Sequence, residues 1–210
     1  MGQGTRRSED RQHGRHREIL DGLEEIFLTE GFQTPTVADL CARLHCSKRS
    51  LYEIAPTKPE LFLLILRRVL DRIRRLGMRG ALEKEDPQAR ILAYLQPGIT
   101  ESSRATQRFN EDLRAFEAAR VMLEEHQKER VAVLRDIIED GIKKGHFRTL
   151  HAHLAAEIYL AAARLTNQPE VLAAAGLTMS EAFAELPDLL FHGLFKRNDD
   201  APRRAAPKSR

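Results

Sequence analysis

The chain has 210 residues, 42% apolar and 31% charged, with 34 basic against 31 acidic side chains and a net charge of +3. That excess is too small to demand a polyanion partner by itself, and two cysteines are too few for a disulfide framework or a Cys-based zinc site. The N-terminus lacks the apolar core of a signal peptide, and no run of 18 apolar residues offers a membrane span, so reduced thiols in a cytoplasmic protein are expected.

Residues 1–14 are polar and rich in Gly and Arg, which reads as a disordered basic arm. A first helix is predicted over about 15–30: Ile19, Leu23, Ile26 and Phe27 follow helical spacing, and Gly31 suits the position just past a helix end. Thr36 and Asp39 form a capping box that opens a short helix over about 36–44, with Val37, Leu40, Cys41 and Leu44 on its apolar face. Ser47 caps a third helix over about 47–54, where Leu51 and Ile54 point inward and Pro56 follows. Thr57 and Glu60 form a second capping box, with Pro59 in the first turn, where its missing N–H costs nothing. The helix they open runs to about Ala81. It is apolar all round from Leu61 to Leu66, then amphipathic, with Val69, Ile73 and Leu76 opposite a set of arginines.

The remainder is helical as well. A helix after Asp86-Pro87 carries Ile91, Leu92 and Leu95, and Pro97-Gly98 is expected to interrupt it. A segment near 106–118 includes Phe109, Leu113 and Phe116, and a long helix follows from about Ala119 to Lys144. Residues 150–167 place Leu150, Leu154, Ile158, Ala161 and Leu165 on one face. A loop is expected around 169–176, then a last helix starting at the Thr178–Glu181 box, which Pro187 should kink. The tail over 196–210 is basic and reads as disordered. Nothing alternates with period two long enough to suggest a sheet, so the fold class is all-α.

Two short helices joined by a tight turn, with Lys48, Arg49, Ser50 and Tyr52 outside the core, read as a helix-turn-helix. Here the pattern resembles the tetracycline-repressor (TetR) family of transcription regulators. The resembling residues are Ile19 to Gly31, Thr36-Val37-x-x-Leu40, Ser47-Lys48-Arg49-x-Leu51-Tyr52 and Thr57-Lys58-x-x-Leu61, with a weaker likeness over Gly141 to Arg148. The resemblance implies a three-helix DNA-binding domain over 15–56 and a helical ligand-binding and dimerisation domain over 57–195. It also implies a homodimer through the last two helices, a double-stranded DNA operator and a small-molecule effector. Two departures from the family pattern stand out: His45 where its turn usually has Gly, and Glu53-Ile54-Ala55 in place of an aromatic, His and Phe cluster.

Within that motif Lys48, Arg49 and Ser50 are the candidate base readers, since a recognition helix reads mainly through its first turns. Arg49 can give guanine a bidentate contact worth roughly 1–3 kcal/mol of discrimination. Tyr52 and Lys58 look like phosphate clamps, while Thr36, Ser47 and Thr57 cap helices and can present N–H groups to phosphate. The arginines of the arm either enter a minor groove or only solubilise. Leu95, Phe109, Phe116, Met122 and Tyr159 are candidate lining of an effector cavity, with Tyr159 first because a buried phenol needs a partner. Glu-x-x-His and His-Glu-x-x-His are absent, so no metal, cofactor or catalytic residue is expected. A helical small-molecule-binding protein without a DNA role is the alternative, as is a TetR-like activator or a corepressor-dependent repressor.

Overall fold

The computed structural model describes residues 3–165, 168–178, 181–182 and 185–186, with side chains from Gly14 onward apart from Pro169. Among these the elements are α1 (Gln3–Glu30), α2 (Val37–Arg43), α3 (Lys48–Ile54), α4 (Lys58–Leu82), α5 (Pro87–Arg104), α6 (Gln107–Ala115), α7 (Glu117–Lys143), α8 (Ala152–Leu165) and α9 (Pro169–Ala175). The described residues contain no strand, and the all-α reading holds.

Three elements differ from expectation. First, α1 begins at Gln3 rather than near Arg15. Gln3, Arg6, Arg7, Glu9, Arg11 and Gln12 are good helix formers, and a helix already nucleated by its apolar face extends through this stretch without a new nucleation cost. Second, α5 runs through Pro97 without a break. Pro97 cannot donate to the Ala93 carbonyl, and Gly80 of α4 lies against that carbonyl, where a Cβ at position 80 would stand 3.2 Å from the oxygen. Buried side chains on both sides of the proline, Ile91 and Leu95 before it and Glu101 after it, hold the helix across it. Third, the loop expected over 169–176 contains α9. Pro169 starts a helix from its first turn, and Gly176, in the left-handed region at φ +67, stops it. The Thr178–Glu181 capping box is present, with the Thr178 hydroxyl 2.7 Å from the Glu181 carboxylate. The kink expected at Pro187 and the basic tail lie outside the described residues.

Packing divides the chain into two units, the first comprising 1–79 and 95–129, the second 80–94 and 130–210. The first unit has a core of Leu23, Phe27, Leu40, Leu51, Leu61, Phe62 and Ile65, all essentially without solvent exposure. Phe62 in the opening turns of α4 is its centre. It stacks on Phe32 at 4.3 Å between ring centroids and meets Phe27, Phe109 and Phe116 at 5.7–6.3 Å. Such ring pairs add roughly 0.5–1.5 kcal/mol each beyond the area they bury.

The same unit buries charge. Arg72 of α4 donates two hydrogen bonds to Glu24 of α1 (2.6 and 3.0 Å) and two to Glu101 of α5 (2.7 and 2.9 Å), and Arg104 bonds both carboxylates. Arg68 joins the edge of the network through Asp21 and Glu24. Burial pushes the Glu24 carboxyl up, but the hydrogen bonds and charge of Arg72, with Arg104 and Arg68, outweigh it and hold the group below the ordinary carboxylate range. The second unit buries Ile91, Tyr94, Leu134, Ile137, Ile138, Phe147, Ala156, Tyr159 and Leu160.

Because its folded-state pKa is lowered, Glu24 contributes stability that is present above the ordinary carboxylate range and lost as pH falls through the lowered value. Arg72→Met leaves two buried carboxylates without their main cation and should cost about 3 kcal/mol at pH 7 in urea denaturation. The cost should shrink towards pH 4, where the variant's buried Glu24 takes up a proton more readily than the wild type's. An equal cost at both pH values would rule out an ionised network.

Candidate nucleic-acid interface

The helix-turn-helix is set by its caps. Thr36 donates its N–H and its hydroxyl to Asp39 (2.9 and 2.6 Å), and the Asp39 N–H returns to the Thr36 hydroxyl at 3.1 Å. Ser47 accepts the Ser50 N–H at 3.0 Å, and the two hydroxyls lie 2.9 Å apart. Between them, His45 has φ +48, the one non-glycine in the left-handed region among the described residues. A residue with a Cβ is held there at a cost of roughly 1–2 kcal/mol.

What holds the turn is a residue that the sequence placed at the start of the first helix without a role. Arg15 of α1 donates to the Leu44 and His45 carbonyls at 2.9 and 2.7 Å. Leu44 is the C-cap of α2, so the guanidinium also sits favourably at the negative end of that helix. The available signal was helical spacing, because Arg15 lies one turn before Ile19, which faces the core.

The predicted contact residues separate into two groups. Lys48, Arg49 and Tyr52 extend from the exposed side of α3. Arg49 is the most open, its side chain 89% exposed, with Nε 3.0 Å from Glu53 in an i, i+4 pair. Thr36, Ser47, Ser50 and Thr57 are engaged in caps, the Thr57 hydroxyl donating to Glu60 at 2.8 Å. Lys58 turns inward: its ammonium donates to the Pro35 and Gln33 carbonyls at 2.7 and 3.1 Å and lies 5.9 Å from the centre of the Phe32 ring. Burial lowers its pKa, with Asp112 and Asp39 opposing. Two of the three ammonium N–H groups are thus occupied. Arg43 pairs with both oxygens of Glu30 at 2.7 and 2.9 Å.

Cys41 and Cys46 are free thiols in contact across the turn. Burial pushes the Cys46 thiol up, and the neighbouring Cys41 adds to it, the opposite of what activates a thiol.

Of the candidate effector residues, Leu95 and Phe109 are buried, and Phe116 and Met122 are half-buried. Phe109 and Phe116 belong to the aromatic cluster around Phe62. These four lie in the first packing unit and Tyr159 in the second. Tyr159 is 4% exposed, and its hydroxyl has no hydrogen-bond partner among the described residues.

His45→Gly relieves the left-handed strain but adds chain entropy to the unfolded state. The net expectation is a gain of about 0.5 kcal/mol in denaturant midpoint experiments, with Arg15 still closing the turn. A loss of stability would show that the His45 side chain contributes more than its backbone costs.

No protein-family profile and no curated protein sequence matches the chain. Solved structures do. A transcriptional regulator from Saccharomonospora viridis in complex with choline superposes with a TM-score of 0.75 at 16% identity, covering 87% of this chain and 98% of that one. A TetR transcription regulator from Haloarcula marismortui gives 0.72 at 16% identity, with coverage of 88% and 100%. SmeT, the repressor of the Stenotrophomonas maltophilia multidrug efflux pump SmeDEF, gives 0.68 at 16% identity, with coverage of 87% and 91%. Among the described residues no helix is long and apolar enough to cross a membrane. The chain has the fold of TetR-type transcriptional regulators.

Proposed function

We propose that this chain is a TetR-like DNA-binding transcription regulator, a cytoplasmic homodimeric repressor released from a palindromic operator by a small-molecule effector. The observation that carries the reading is a seven-residue helix, capped at Ser47 and fixed by Leu51, that leaves Lys48, Arg49 and Tyr52 open to solvent. On this reading Arg49 and Lys48 read base edges, Tyr52 and the third N–H of Lys58 take phosphate, and the capped N-termini at Thr36, Ser47 and Thr57 fix the register.

Support for the dimer comes from α8, where Leu154, Ile158 and Leu165 are 56%, 60% and 51% exposed along one stripe. A second copy pairing through α8 and the last helix expected from the sequence after Thr178 would remove that stripe from water and set two recognition helices about one DNA turn apart. Support for an effector comes from the neighbours: one was solved with choline, and another is the repressor of a multidrug efflux pump. That these neighbours are regulators also favours a protein that is not an enzyme. The effector must bind the released form better than the DNA-bound form, since equal affinity would shift nothing.

Gel shifts on duplexes selected from a random pool test the reading. Arg49→Ala is expected to weaken binding at least tenfold and to relax the base preference at one position of each half-site. Lys58→Met is expected to weaken all duplexes alike and to lower stability, because it also uncaps the loop before Thr36. Wild-type affinity should fall by roughly 10³–10⁵ between 50 and 200 mM salt. No binding to any duplex at low salt would favour a helical small-molecule binder without a DNA role.

A further inference from the structure

Among the described residues, the second packing unit holds an arginine with no carboxylate partner. Arg130 of α7 is hydrogen-bonded with Tyr94 of α5 and faces Tyr159 of α8, and among the described residues these phenols, not a carboxylate, are the groups that act on its charge. Elsewhere in this unit arginine is answered: Arg90 meets Asp140 at 2.5 Å, and Lys144 meets the same carboxylate at 2.8 Å. Beside Arg130 stands the Tyr159 hydroxyl, buried and without a hydrogen-bond partner among the described residues. A buried hydroxyl left unpaired is costly, and a half-buried guanidinium that faces phenols instead of a carboxylate lacks its usual counter-charge. Two such deficits at one place are what a missing acceptor would relieve.

We propose that Arg130 and Tyr159 form a binding site for the carboxylate of a small organic acid with an apolar body. The guanidinium fork matches the two oxygens of a carboxylate, and the phenol adds a third donor. Burial pushes the Tyr159 phenol up to about 12, so it stays neutral near pH 7 and leaves the Arg130 charge uncompensated. The other buried side chains of this unit are largely aliphatic, among them Ile91, Leu134, Ile138, Ala156 and Leu160, which suits an acid carrying a hydrocarbon or aryl group. Sequence reading singled out Tyr159 but passed over Arg130, one of several charged residues on a long helix. The proposal deepens the effector reading above and rests on it for its regulatory meaning, though not for binding.

Thermal unfolding without DNA tests it, using millimolar benzoate and octanoate against benzyl alcohol and 1-octanol. At least one acid should raise the wild-type Tm by about 2–4 °C while its alcohol does not. Tyr159→Phe should keep the ligand-free Tm within about 2 °C of wild type and lose the acid's effect. Arg130→Met should lose it too, and Arg130→Lys, which keeps charge without the fork, should weaken the acid at least tenfold. Failure of both acids to shift wild type, equal shifts from acid and alcohol, or a ligand-free Tm drop of about 5 °C or more in Tyr159→Phe would overturn the site. Duplex binding is measured on the same samples. Protein that binds DNA but neither acid refutes this site alone, whereas an acid shift without DNA binding refutes the regulator reading alone.

Discussion

The end of α1 is a stretch of backbone whose polar groups must be answered from elsewhere in the chain, and the placement of the helix-turn-helix depends on those answers. Gly31, at φ +75, turns the chain where α1 stops, and a Cβ there would lie 2.5 Å from the Asp112 carboxylate. The next two N–H groups, of Phe32 and Gln33, donate to that carboxylate at 2.5 and 3.1 Å. The last α1 carbonyls, of Leu28 and Thr29, accept from Thr106. Those of Gln33 and Pro35 accept from Lys58. Buried backbone groups left without partners cost free energy comparable to a lost hydrogen bond each, so α2 is held where α6 and α4 can reach it.

A second tie lies along the same helix. Through Arg72, α1 is bound to α4 and to the end of α5, and the aromatic cluster around Phe62 fills the space between. Aliphatic side chains could pack with comparable stability, but they tolerate sliding. A bidentate guanidinium between two carboxylates fixes one register. The first unit therefore combines an adaptable apolar contact with directional polar ones that hold it in one register.

Much of this was legible in the sequence because it is local. The caps at Thr36, Ser47 and Thr57, the inward faces of α2 and α3, and the unusual demand on His45 all arise from residues within a few positions of one another. The prolines were harder. Pro59 was read correctly as a first-turn residue, but Pro97 was taken for a break and Pro169 for a loop. A proline's effect depends on whether its neighbours can satisfy the carbonyl it abandons, and for Pro97 the Gly80 backbone lies against that carbonyl. The inward turn of Lys58, the role of Arg15, the carboxylate of Asp112 and the Arg72 network were not legible. Each joins residues 23 to 80 positions apart, and nothing in a charged residue's immediate neighbours says which distant group it will meet.

Lys58 carries a consequence beyond its geometry. One ammonium is divided between the loop it closes and the solvent it faces, so any group that captures it from outside alters the closure of the loop. The loop's other bonds run to Asp112 on α6. Linkage of this kind is symmetrical: whatever an outside partner at Lys58 does to the α6 contact, a change at α6 must do to that partner's affinity, by the same factor. Lys58 and the Asp112 carboxylate, which hold the same loop from two sides, are therefore parts of one equilibrium.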